Sequence, residues 1–162
     1  MSPNTPPDAE MILRTLADHD VDYVIIGGIA VQTYGSVRTT FDIDVVPRPD
    51  PINLARLADA LNALDARVLN PGSGEVKIDA ALLPRATLWQ FATRHGAIDV
   101  VHEAPGAPPF DELRSRALEV GLGDLQLRVA GRDDLISMKR ASARPVDLED
   151  IAALTDSGSG DL

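Results

Sequence analysis

Apolar and polar positions divide the chain into a succession of short elements. Asp8 stands ahead of Met11, Ile12, Thr15 and Leu16, which predicts an amphipathic helix closing near residues 18–20. Tyr23-Val24-Ile25-Ile26 is a continuous apolar run stopped by Gly27-Gly28, the pattern of a buried strand that ends in a tight turn and hands over to a helix reaching Gly35. Residues 39–46 alternate, which sets Phe41, Ile43 and Val45 on one face of a strand and Asp42 and Asp44 together on the other. Asp50-Pro51 then opens a second amphipathic helix through Leu54, Leu57, Ala58, Leu61 and Leu64, with a capping carboxylate followed by a proline in the first turn.

The second half reads less regularly. Residues 67–69 form a weak strand, 70–74 (Asn-Pro-Gly-Ser-Gly) a loop, and 76–83 show no clear period. Residues 88–93 and 97–102 are two strands joined across His95-Gly96 at a spacing that suits a hairpin. A helical turn at 111–116, a late strand at 125–129, and helices at 133–141 and 146–154 separated by Arg144-Pro145 complete the chain. Residues 1–7 and 156–162, rich in proline or in serine and glycine, are expected to be flexible, leaving one domain over 8–155. The element order predicts an α/β (α+β) fold, a mixed β-sheet flanked by helices with the C-terminal helices packed on it.

Composition narrows the chemistry. At 162 residues the chain can build one proper core, and with 44 % apolar but only 4 % aromatic residues that core must be aliphatic. The absence of cysteine excludes disulfides, thiolate metal sites and cysteine nucleophiles. A net charge of -10, from 25 Asp plus Glu against 15 Lys plus Arg, repels polyanions over the molecule as a whole, so a nucleic-acid partner would need a local basic patch. No apolar run approaches the roughly 18 residues of a membrane span and no signal-like segment opens the chain, so a cytoplasmic location without a membrane partner is expected. His19, His95 and His102 share no metal-ligand spacing, and no serine has the partners of a catalytic triad.

Asp42 and Asp44 carry the strongest chemical signal. Side chains two apart on a strand share a face, and two carboxylates held that close repel unless a cation or proton intervenes. A hard dication, Mg²⁺ or Mn²⁺, answers that repulsion and also binds phosphate oxygens. The Gly27-Gly28 turn offers backbone N–H groups unobstructed by side chains, which suits phosphate. Taken alone, the acidic strand is equally a solvent-facing alternation, the glycines a structural turn, Arg38 a surface arginine and Lys139 part of a solvated helix face.

The spacing of Gly27-Gly28 from Asp42-Ile43-Asp44-Val45, with thirteen residues between, resembles the nucleotidyltransferase signature of strand, glycine turn, helix and Asp-apolar-Asp strand. The stretch 26–44 is similar in particular to the AbiEii and MenT-type toxin nucleotidyltransferases. A second block agrees with that group's C-terminal lysine and acidic helix: Asp134 to Arg140 including Lys139, then Arg144 and Asp147-Leu148-Glu149-Asp150. The resemblance implies transfer of a nucleoside monophosphate from a nucleoside triphosphate to a hydroxyl, with pyrophosphate leaving. It implies Asp42, Asp44 and a third strand carboxylate as metal ligands and catalytic groups; Asp99 is the leading position and Asp79 its rival. Lys139 and Arg38 would meet the triphosphate, and Gly27 and Gly28 would contact it through backbone N–H groups, while Asp147 would pair with Lys139 or Arg144. The tRNA 3′ end as acceptor and a cognate antitoxin as partner follow from the same resemblance. Two other readings fit the residues: a non-catalytic nucleotide-binding or interaction module, and an antibiotic-modifying nucleotidyltransferase.

Overall fold

A computed structural model of the chain describes residues 7–69 and 75–159; the expected loop at 70–74 and most of the two expected flexible ends lie outside the described residues. Helix α1 (Ala9–Asp18) is capped by Asp8, whose carboxylate accepts from the Met11 amide, and it buries Ile12, Leu13 and Leu16 while Met11 turns outward. Strand β1 (Tyr23–Ile26) passes directly into α2 (Gly27–Thr33). Strand β2 (Asp42–Pro47) is followed by α3 (Pro51–Ala63), which Asp50 caps through the Asn53 amide at 2.8 Å. The remaining elements are β3 (Arg67–Val68), a 3₁₀ turn (Leu83–Arg85), β4 (Leu88–Thr93), β5 (Gly96–Val101), α4 (Phe110–Ser115), β6 (Leu118–Leu122), β7 (Leu125–Val129), α5 (Arg132–Ser142) and α6 (Pro145–Ser159).

The strands form one mixed sheet in the order β3-β4-β5-β2-β1-β7-β6. β2 runs parallel to β5 and antiparallel to β1; β1 runs parallel to β7; the β4–β5 and β6–β7 hairpins are antiparallel. The alternation of β2, β4 and β5 places Ile43, Val45, Trp89, Phe91, Ile98 and Val100 on the buried face, where α3 lies against β2 and α1 against α3. On the opposite face α2 packs beside β1 and β2, and α5 and α6 pack on α2. The strip formed by β2, β5 and β4 is thereby left as the floor of a cleft.

Four expectations change. β2 starts at Asp42 and not at 39: a bend falls at Phe41, the Thr40 hydroxyl turns in onto the Asp42 carbonyl at 3.2 Å, and Phe41 is left 45 % exposed instead of sharing the face of Ile43 and Val45. β6 lies at 118–122, where no element is expected; it is a sheet edge paired only with β7, and with little of it buried it lacks an alternating signature. α6 continues to Ser159 and does not stop at Leu154, with the Thr155 hydroxyl bonding back to the Ile151 carbonyl at 2.8 Å. Residues 76–83 pack as turns leading into the 3₁₀ segment, whose Leu83 carbonyl accepts from the buried Trp89 indole at 2.8 Å.

Asn53 ties α3 to the start of β1 and the end of β2. It is 3 % exposed, accepts from the Asp22 amide at 2.7 Å, and donates to the carbonyls of Asp22 and Arg48 at 2.8 and 3.0 Å. Asn53→Ala leaves the Asp22 amide and the Arg48 carbonyl without that partner, while the Asp22 carbonyl keeps the Arg48 amide at 3.0 Å, so unfolding in urea should show a loss of about 1–3 kcal/mol. The secondary-structure signal of the native state should be unchanged.

Candidate functional site

Parallel pairing of β2 with β5 sets Asp44 directly beside Asp99 and Asp42 beside Ala97, so Asp42, Asp44 and Asp99 rise from one face of adjacent central strands. One carboxylate oxygen from each lies within 4.8 Å of the others. Burial raises the pKa of Asp44 to about 6, and the negative charge of Asp42 adds to that. Burial likewise raises Asp99 to about 8, reinforced by Asp44 and Asp42. Three hard oxygen donors, crowded and partly desolvated, fit a divalent cation of the Mg²⁺ or Mn²⁺ kind, whose charge would replace the proton the cluster otherwise retains. Asp79, the rival third carboxylate, stands elsewhere: its Oδ1 accepts from the Leu82 amide at 2.9 Å and fixes a turn.

The glycine turn serves this cluster sterically. Gly27 adopts φ +72°, and a Cβ there would overlap the Asp44 Oδ2 atom. A Cβ on Gly28 would stand 2.7 Å from the Thr40 hydroxyl and 3.0 Å from the Arg38 guanidinium. Both glycines therefore let the segment before β2 and the Asp44 carboxylate close against the start of α2.

Facing the carboxylates, α5 and α6 carry a chain of ion pairs. Arg38 binds Asp150 through two donors at 2.7 and 3.0 Å; Lys139 Nζ lies 3.0 Å from Asp150 and 3.3 Å from Asp147; Arg144 binds Asp147 through its backbone amide and its guanidinium at 3.0–3.2 Å. The Asp147, Asp150 and Lys139 side chains are buried. Burial acts to raise the pKa values of Asp147 and Asp150, but hydrogen bonds from Arg144 to the first and from Arg38 to the second hold both below the ordinary range. Three cations share two carboxylates here, which leaves one positive charge in excess opposite the acidic floor. The field of Asp44 and Asp42 adds to that of Asp147 in raising the pKa of Arg144.

These groups line one cleft of about 690 Å³. The expected site residues Gly27, Gly28, Arg38, Asp42, Asp44, Asp99 and Lys139 all border it. Arg144, Thr40, Phe41, Gln90 and Leu88 border it as well and are absent from the sequence-based set. Gln90 pairs with Asp99 across the β4–β5 hairpin, so its place on the acidic face was available from the alternation of 88–93 had the register been known. Arg144 and Asp150 carry a fainter signal, an arginine and two carboxylates spaced 144, 147 and 150 along one helix face.

Residues 8–159 match the family described as a nucleotidyltransferase of unknown function (DUF6036), which supports the nucleotidyltransferase resemblance without specifying the toxin group. No curated protein sequence matches the chain. Among solved structures, the antibiotic-resistance factor ANT(2'')-Ia superposes with a TM-score of 0.62 at 17 % identity, over 92 % of this chain and 81 % of that one. The lincosamide antibiotic adenylyltransferase LnuA, solved with lincomycin bound, gives 0.64 at 14 % identity, over 94 % and 98 %. An antigenic nucleotidyltransferase-like protein from Paracoccidioides brasiliensis gives 0.56 at 15 %, over 92 % and 77 %. At these identities the likeness is one of fold.

The raised carboxyl groups carry a stability signature. Asp44 and Asp99 bind protons more tightly folded than unfolded, so the native state takes up protons and metal-free stability falls as pH rises from the ordinary carboxylate value of 3.8 through about 8. Thermal unfolding should show a Tm that declines across this window in EDTA, and a rise on adding Mn²⁺ that is larger at pH 8 than at pH 5. Asp99→Asn should flatten both trends.

Proposed function

The chain belongs to this nucleotidyltransferase family, and from that premise we propose that it transfers a nucleoside monophosphate from a nucleoside triphosphate to the hydroxyl of a small-molecule acceptor. The observation that carries the reading is the convergence of Asp42, Asp44 and Asp99 on a cleft whose opposite wall presents Arg38, Lys139 and Arg144. Such a pairing of an acidic floor with a cationic wall accommodates a metal-bound triphosphate.

Asp42, Asp44 and Asp99 would hold Mg²⁺ or Mn²⁺, which when bound supplies charge neutralisation for the triphosphate and acidifies the attacking hydroxyl. The cationic wall orients the triphosphate: Lys139, fixed by Asp147 and Asp150, offers a positioned point charge, and Arg144, 65 % exposed, offers a guanidinium able to fork onto phosphate oxygens. Gly27 and Gly28 leave backbone N–H groups open to the same phosphates. Asp99 accepts the proton of the acceptor hydroxyl as its oxygen bonds to the α-phosphorus. The bond from that phosphorus to the bridging oxygen breaks, and pyrophosphate leaves along the cationic wall.

A small acceptor is favoured over the tRNA 3′ end that the toxin resemblance implies. The net charge of -10 opposes a polyanion, and the cleft's cations are already turned toward the triphosphate. LnuA is described as a lincosamide antibiotic adenylyltransferase with lincomycin bound, and ANT(2'')-Ia has been solved in complex with adenylyl-2''-tobramycin, which supports the antibiotic-modifying reading, while their low identity leaves the particular acceptor to experiment.

Each labelled triphosphate should be incubated with Mg²⁺ or Mn²⁺ and a panel of tobramycin, lincomycin and total tRNA. Labelled small-molecule product is expected. Asp42→Ala should abolish it with the fold intact, and Asp99→Asn should lower kcat by about 10²- to 10⁴-fold. Equal turnover by wild type and Asp42→Ala would remove the proposal.

Lys139→Met separates anchoring from charge placement. Asp147 keeps Arg144 and Asp150 keeps Arg38, so losing the cation they share should lower stability by about 1.5–3 kcal/mol in chemical unfolding, together with a raised KM for triphosphate.

A further inference from the structure

The cleft is divided by its carboxylates into two chemically unlike halves. Gly27 and Gly28 follow β1 on one side of β2, with the Arg38 guanidinium 3.0 Å from where a Gly28 Cβ would stand. The ion pairs through Asp150 and Asp147 link Lys139 and Arg144 to Arg38 on helices packed against α2. On the other side, β4 and β5 and the segment after β5 contribute Leu88, Gln90, Val101, Ala104 and Pro105 to the lining, and none of these is a cation. The Ala104–Pro105 end is tied to α5 by the Ser137 hydroxyl, which donates to the Gly106 carbonyl at 2.7 Å.

Nucleotidyl transfer is an in-line displacement, so the attacking oxygen and the leaving pyrophosphate stand on opposite sides of the α-phosphorus. If the pyrophosphate departs over the cationic half, the hydroxyl must arrive from the half that has none. Asp99, the carboxylate contributed by β5, is the one on that side. Gln90 is its direct partner across the hairpin, which directs both side chains to the same face with Cβ atoms about 4.5–5.5 Å apart. Gln90 is exposed to the cleft, and its amide makes no hydrogen bond among the described residues, so one donor and one acceptor are free beside Asp99.

We propose that the β4–β5 half of the cleft is the acceptor subsite, that Gln90 hydrogen-bonds the acceptor beside its reacting hydroxyl, and that the subsite selects an uncharged or cationic hydroxyl compound with an apolar face. Leu88, 44 % exposed, and Val101 supply the apolar contact. Immediately past Ala104 a second hollow of about 310 Å³ is walled by Glu103, Pro108 and Phe110. Glu103 is exposed there and has no salt bridge among the described residues, so the acidic character continues away from the reacting centre and favours an amine over a phosphate at the acceptor's far end.

This subsite rests on the nucleotidyl-transfer reading, and the two can fail separately. Steady-state transfer is measured for wild type, Gln90→Ala and Gln90→Lys with tobramycin, lincomycin and total tRNA as acceptors. Binding of a non-hydrolysable triphosphate with Mn²⁺ is measured on the same proteins, with Asp44→Asn as the control for the transfer reading. Wild type is expected to label a small acceptor. Both Gln90 variants should raise the acceptor KM at least tenfold and leave triphosphate affinity within twofold. Weakened triphosphate binding in Gln90→Ala with an unchanged acceptor KM would assign this half to the nucleotide and overturn the proposal. Transfer to tRNA alone, or triphosphate binding without transfer to any small acceptor, would also overturn it. Triphosphate binding unaffected by Asp44→Asn would instead sink the underlying reading.

Discussion

The site depends on the repulsion among carboxylates that the sheet forces together. Parallel pairing of β2 with β5 leaves no freedom: once Ile43 and Ile98 occupy the core side by side, Asp44 and Asp99 must emerge side by side on the other face, with Asp42 one pleat away. Hydrophobic burial thus sets a geometry that electrostatics opposes. The metal-free protein relieves the opposition by retaining protons, and a dication relieves it without them. The same packing that stabilises the domain therefore prepares a binding site whose free form is electrostatically unsatisfied.

The rest of the cleft is organised around that charge. A chain of ion pairs, buried at Asp150, Lys139 and Asp147, runs from Arg38 to Arg144 and joins the segment before β2 to both C-terminal helices. Burying such pairs has a large desolvation cost and is weak evidence for stabilisation in itself. Their value here lies in position. With Asp147 and Asp150 at one end of the lysine and the acidic floor across the cleft, the cationic wall cannot collapse onto the metal-site carboxylates, and its excess positive charge is held back for a third party.

How much of this was legible follows from which features are local. The Asp42-Asp44 pair and the Gly27-Gly28 turn are readable because strand alternation and glycine's access to positive φ act over a few residues, whereas Asp99 is reached only through the family resemblance, with Asp79 as its rival. Phe41 misled because alternation is local: the alternating pattern continues through it, but the Thr40 hydroxyl turns in onto the Asp42 carbonyl and the strand begins only at Asp42. β6 escaped because an edge strand with both faces largely exposed needs no apolar period. The order of strands in the sheet is not a local property at all. Without it nothing places Gln90 opposite Asp99, or separates the cationic from the neutral side of β2.

That non-local information is also what distinguishes one acceptor class from another. The acidic floor and glycine turn would look much the same in any protein of this fold that handles a triphosphate, and a likeness at 14–17 % identity to antibiotic-modifying enzymes extends no further than the fold. The features that bear on the acceptor lie on β4 and on the exit from β5, where Leu88, Gln90 and Glu103 border the two hollows and none of them is a cation. If the cleft carries out the proposed in-line transfer with the triphosphate held by its cations, the acceptor would enter along β5 and β4, and strand order would then turn a general site for triphosphates into one that discriminates among hydroxyls by charge.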